Sequence, residues 1–99
     1  MRNMESEHKL SQREADVCFA LADPTRINII HALKEHPYNV NELTLELGIP
    51  QPMTSRHLKI LRERGLVQST RHGVSVTYFL ADLRLLDALT LLTDISANS

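Results

Sequence analysis

The stretch from Asn39 to Gly65, NVNELTLELGIPQPMTSRHLKILRERG, limits what this chain can fold into more than any other part of it. It holds two short amphipathic segments separated by a turn centred on Gly48. Asn39-Val40-Asn41-Glu42 has the pattern of a capping box, with Asn39 as the cap and Glu42 reaching back. Leu43, Leu45 and Leu47 follow, and Gly48 ends the segment. Gln51 or Pro52 opens the next helix, whose apolar stripe is Leu58 and Leu61 with Ile60 beside them. Gly65 closes it. The first segment carries acids and the second carries bases. This is the layout of a helix-turn-helix over residues 39–65, in which one short helix braces another.

The flanks extend that unit. Ser11 to Leu21 is predicted as a first helix, with Val17, Ala20 and Leu21 on its apolar side, and residues 1–10 are expected to be flexible. Asp23 caps a second helix and Pro24 suits its first position. Ile27, Ile30, Ala32 and Leu33 form its buried stripe, and Pro37 stops it. After Gly65 the period changes to two. Val67, Ser69 and Arg71 alternate with Gln68 and Thr70, and Val74, Val76, Tyr78 and Leu80 alternate with Ser75, Thr77 and Phe79. His72-Gly73 is the tight-turn candidate between them. Residues 66–80 therefore form a two-stranded wing. Asp82 caps a last helix, where Leu85, Leu86, Leu89, Leu92 and Ile95 make a broad apolar surface. The predicted fold is mainly α with a small β-hairpin: four helices, the hairpin, then a fifth helix. Residues 1–99 form a single winged helix-turn-helix domain.

A chain of 99 residues buries a thin core. The leucine-rich last helix has more apolar area than a small monomer easily covers, so a homodimer is expected. The polar N-terminus is unlike a secretory signal, no apolar run approaches the ~18 residues of a membrane span, and Cys18 is the single cysteine. A cytoplasmic location is expected, with no membrane partner.

The net charge is −1, but its distribution is uneven. Residues 51–75 hold Arg56, Lys59, Arg62, Arg64 and Arg71 against Glu63, a local excess of +4, while the rest of the chain is acidic. A phosphate backbone needs such a local footprint, not a basic whole. A helix entering a major groove presents its N-terminal half to base edges. Gln51, Thr54 and Ser55 sit there with amide or hydroxyl groups able to pair with bases. Arg56 suits either a guanine edge or a phosphate. Lys59 and Arg62 suit phosphates, which give affinity and salt dependence. Arg71 and His72 at the hairpin tip suit the adjacent backbone or minor groove. His57 is a DNA-contact candidate too, although its place beside Leu58 equally suits packing within the domain. Met53 suits packing.

Three strings carry a family resemblance that covers nearly the whole chain, from about Ala15 to Ile95. They are Leu21-Ala22-Asp23-Pro24-Thr25-Arg26, Gln51-Pro52-Met53-Thr54-Ser55-Arg56-His57-Leu58 and Leu61-Arg62-Glu63-Arg64-Gly65-Leu66-Val67. In that order and spacing the chain resembles the ArsR/SmtB repressors. The departure is Pro50, where a capping Ser is usual. The resemblance implies a homodimer paired through the first and last helices. It also implies a transcriptional repressor that binds double-stranded palindromic operator DNA and leaves it when an inducer binds.

The metal-sensing patterns of that family are not matched. Where a metalloid-sensing branch has Cys-Val-Cys-Asp-Leu, this chain reads Asn39-Val40-Asn41-Glu42-Leu43, and amides do not replace thiolates. The zinc-sensing positions correspond to Asp82, Arg84, Ile95 and Asn98. One carboxylate is not a tetrahedral site. No cofactor or metal is expected, and the inducer stays unassigned. His8 is a weak ligand candidate. His31 and His36 lie about 140° apart on a helix, a poor bite for one ion. Cys18, in the expected pairing helix, is a redox candidate, the commoner case being a buried, inert thiol. The rival to DNA binding is a winged-helix protein-interaction module. An enzyme is not expected, because no phosphate loop, ligand cluster or nucleophile–base pairing appears.

Overall fold

The computed structural model describes residues 3–98. Helix α1 spans Met4–Leu21, α2 spans Pro24–Glu35, a short strand β1 covers Tyr38–Asn39, and α3 spans Val40–Leu47. Helix α4 (Gln51–Glu63), strands β2 (Val67–His72) and β3 (Ser75–Leu80), and helix α5 (Arg84–Ala97) complete the chain.

Helix α1 begins at Met4, not Ser11, so the stretch expected to be flexible is helical from Met4 onward. Met1 and Arg2 lie outside the described residues. Local chemistry explains the early start. The Asn3 side chain accepts from the N–H groups of Glu5 and Ser6, and Glu5 and Glu7 place acids at the positive helix end. In α2, Asp23 Oδ1 accepts from Thr25 N–H at 2.8 Å and Arg26 N–H at 3.1 Å. The Arg26 N–H contributes most to holding the Asp23 carboxyl below its ordinary range. The capping box of α3 is formed in full: Glu42 N–H donates to Asn39 Oδ1 at 2.8 Å, and Asn39 N–H donates to Glu42 Oε1 at 2.9 Å.

Helix α4 ends in a Schellman turn. Leu66 N–H donates to Leu61 O and Gly65 N–H to Arg62 O, each at 3.0 Å, with Gly65 at φ +73°. The following hairpin pairs Val67 with Leu80 at one end and His72 with Ser75 at the other. Its two-residue loop is therefore Gly73-Val74, one residue later than His72-Gly73. Gly73 takes φ +63°, as a hairpin turn with Gly in its first central position demands. Strand β1 pairs antiparallel with the far side of β3, giving a three-stranded sheet in the order β1-β3-β2. Two residues are too few to show a strand period, so β1 has no sequence signature.

The core gathers Ile29, Ile30 and Leu33 from α2, Leu43 from α3, Leu58 and Leu61 from α4, and Val67 and Leu80 from the sheet. Ile29 belongs to the centre of the α2 stripe, whereas Ile27 and Ala32 pack at its edge. Helix α5 contributes no fully buried residue among those described. Leu85, Leu86 and Leu89 lean on the core, while Leu91, Leu92 and Ile95 stay more than half exposed. Asp82, expected to cap this helix, lies one residue ahead of the cap position, which Leu83 holds without a side-chain hydrogen bond. Asp82 Oδ1 accepts from Arg84 N–H at 2.9 Å, and both carboxylate oxygens hold the Arg84 guanidinium.

Candidate nucleic-acid interface

The two faces of α4 divide its residues by chemistry. Thr54, His57, Leu58 and Leu61 are buried, the three-and-four spacing of one helix face. The opposite face holds Ser55, Arg56, Lys59 and Arg62, all exposed, with Gln51 and Pro52 at the exposed N-terminal end. Pro50 caps the helix by conformation alone, with no side-chain hydrogen bond, and no acid lies in the first turn. The positive end of α4 therefore stays open to negative charge.

Two expected contact residues lie inside. Thr54 is fully buried. Thr44 Oγ1 of α3 donates to Thr54 Oγ1 at 3.0 Å, and Thr54 Oγ1 in turn reaches Pro50 O at 3.5 Å. Its hydroxyl fastens α3 to α4 and does not reach outward. His57 is 4% exposed and lies three residues after Thr54, on the same inward stripe. Its Nδ1 sits 3.1 Å from Arg26 Nη1. Burial is the main cause that pushes the His57 pKa below its ordinary 6.5. Asp23 opposes that shift, and Arg26 and Arg56 add to it.

The remaining candidates are exposed. Lys59 pairs loosely with Glu63 at 4.0 Å, a surface i,i+4 contact worth a few tenths of a kcal/mol, so its ammonium is available. Arg62 faces outward beside it. Arg71 and His72 lie at the exposed hairpin end, opposite Val76 and Ser75, next to the fully exposed Val74. Arg64 has another task, lying 3.5 Å from Asp16 of α1. The structure thus brings Gln51, Ser55, Arg56, Lys59 and Arg62 onto one helix face, and sets Arg71 and His72 on the hairpin.

Sequence reasoning missed Arg26. It is 6% exposed, a buried cation in α2. Its spacing gives a signal: Arg26, Ile29, Ile30 and Leu33 form one helical stripe, so a charge stands where an apolar residue is expected. Cys18 is exposed on α1. His31 and His36 are exposed as well. Among the described residues no three His, Cys, Asp or Glu side chains are grouped to hold an ion, and no helix is long and apolar enough to cross a membrane.

The family described as "Bacterial regulatory protein, arsR family" matches residues 23–69, which include α2, α3 and α4. The chain is 49% identical over 63 residues to the HTH-type transcriptional repressor SmtB of Mycobacterium tuberculosis, an alignment covering 64% of this chain and 47% of that protein. The chain thus spans about half the length of that relative. It is 31% identical over 80 residues to the biofilm growth-associated repressor of Xylella fastidiosa, covering 81% of this chain and 70% of the relative. A solution structure of a homodimeric winged helix-turn-helix DNA-binding domain from Mycobacterium bovis superposes with a TM-score of 0.84. That match has 23% identity and covers 98% of this chain and 90% of the other. The fold is accordingly a winged helix-turn-helix, and the chain belongs to the ArsR family of bacterial regulatory proteins.

Proposed function

We propose that this chain is a sequence-specific DNA-binding transcriptional regulator, a repressor that holds duplex DNA as a homodimer. The observation that carries the reading is the outward face of α4, where Ser55, Arg56, Lys59 and Arg62 stand exposed on a chain of net negative charge. Gln51, Ser55 and Arg56 read base edges from the N-terminal half of α4. Lys59 and Arg62 hold phosphates, and Arg71 and His72 reach the backbone beside the groove. The repressor names of the two relatives support this reading.

Pairing through α1 and α5 completes the unit. Leu10 and Phe19 on α1, and Leu91, Leu92 and Ile95 on α5, are more than half exposed, and a second copy would cover them. The familiar cysteine-type and last-helix metal sites lack their ligands, and the inducer stays unassigned.

The test is selection of bound duplexes from random DNA, followed by a salt titration of the best one. Neutralised phosphates release counterions, so for a regulator of this kind the logarithm of the affinity falls linearly with log salt, and it selects a symmetric sequence. A protein-interaction module enriches no sequence and shows no such slope.

A further inference from the structure

Arg26 joins three helices through one guanidinium. Its Nε donates to Ala20 O at 2.7 Å and its Nη2 to Phe19 O at 3.1 Å, both carbonyls in the last turn of α1. A cation suits that negative helix end. The guanidinium carbon also lies 5.6 Å from the centre of the Phe19 ring. The remaining nitrogen, Nη1, meets His57 Nδ1 at 3.1 Å. Guanidinium groups donate and never accept, so Nδ1 must be bare and the imidazole proton must sit on Nε2. A second proton on the ring would set N–H against N–H and charge against like charge.

We propose that Arg26 and His57 are positioning residues for DNA recognition: neutral His57 anchors α4 to the end of α1, and protonation at Nδ1 releases that anchor and weakens specific DNA binding. The inference rests on the DNA-binding reading above. Its physical basis is spacing. Two α4 helices in a symmetric pair must meet successive grooves about 34 Å apart. The pairing surface includes α1, so the pose of α4 against α1 sets that distance. The Arg64–Asp16 contact joins the C-terminal end of α4 to α1 and is untouched by the proton. Loss of the Arg26 bond removes the buried polar link from the middle of α4 to the end of α1 and loosens the pose of α4 against that helix.

The charges around His57 are few. Asp23 acts from the head of α2, Arg26 from α2 itself and Arg56 from α4. Asp16 of α1 is engaged by Arg64. Glu42 and Glu46 of α3 act on Tyr38. β2 carries Arg71 and His72 at the hairpin end.

The experiment compares His72→Gln with the double variant His72→Gln/His57→Asn on the selected duplex, from about pH 8 to about pH 5.5. The first substitution removes the titrating group at the hairpin tip. Asparagine keeps an acceptor oxygen near the Nδ1 position but does not titrate. Affinity of the single variant should fall on acidification, approaching about tenfold per pH unit for each ring below its own pKa and about a hundredfold for the pair, and the double variant should give a flatter profile. Parallel profiles overturn the proposal. Should the double variant fail to fold, imidazole ¹⁵N NMR of the single variant decides. Binding that requires a neutral ring lowers the His57 pKa in the complex, whereas the charge of DNA alone raises it. An unchanged or raised value in the complex overturns the proposal. Absence of duplex binding at every pH overturns the DNA reading and this inference together, whereas binding with an unaltered profile overturns the inference alone.

Discussion

Thr54 and Arg56 are two residues apart in α4, yet they do opposite work. Thr54 spends its hydroxyl on Thr44 and Pro50 inside the domain. Thr54→Val should cost about 1–3 kcal/mol of stability, because Thr44 loses its buried partner. It should leave discrimination between duplexes unchanged, a split that denaturant melts and competition binding would resolve. Titration separates two further residues. His57 has a depressed pKa, so the stability it contributes is complete above 6.5 and is lost as pH falls from there through its folded value. Asp82 is held at about 2, first by the Arg84 side chain and then by the Arg84 N–H, against an ordinary 3.8. Its contribution is present above 3.8 and disappears as pH falls toward 2. Thermal midpoints measured against pH should therefore drop in two separate stages. His57→Asn should remove the upper stage, and Asp82→Asn should shrink the lower one, to which the depressed Asp23 carboxyl also contributes. A single stage common to both variants would contradict these assignments.

At the scale of elements, the caps were the most legible part of the sequence. Asn39 with Glu42, and Asp23 with Pro24, act within a few residues of themselves, so local pattern suffices to find them. Gly65 is equally local, and its positive φ closes α4 onto Leu61. Gly65→Ala should cost about 1 kcal/mol through that backbone conformation, read as a shift in the unfolding midpoint. What escaped the sequence depends on distant partners. Strand β1 exists because β3 offers it an edge, and nothing within Tyr38–Asn39 announces that. The candidate contacts were legible as a set but not by face. The basic and amide residues gather on α4, yet only the packing of α3 and α2 shows that Thr54 and His57 point inward. Arg26 was missed for the same reason, since its partners lie in α1 and α4.

The whole molecule leaves α1 and α5 with apolar surface that a single copy does not cover. Replacing Leu92 and Ile95 together by lysine should shift sedimentation toward the monomer and weaken specific duplex binding in parallel. A variant that stays dimeric would place the pairing surface elsewhere. Zinc and arsenite should not release the selected duplex through the family's familiar positions, because Asn39, Asn41, Arg84 and Ile95 offer no ligand there. Stoichiometric metal-driven release that survives substitution of Cys18 and His8 would reveal a site of another kind. Both expectations treat α4 as a helix that reads DNA in two symmetric copies. The deciding measurement is competition between the selected duplex and a random duplex, at one fixed salt concentration, for the wild-type chain and for Arg56→Ala. The wild type should prefer its selected duplex, and Arg56→Ala should lose about 1–3 kcal/mol of that preference while remaining dimeric. Equal preference in both proteins would contradict the reading of α4 as the element that chooses a sequence.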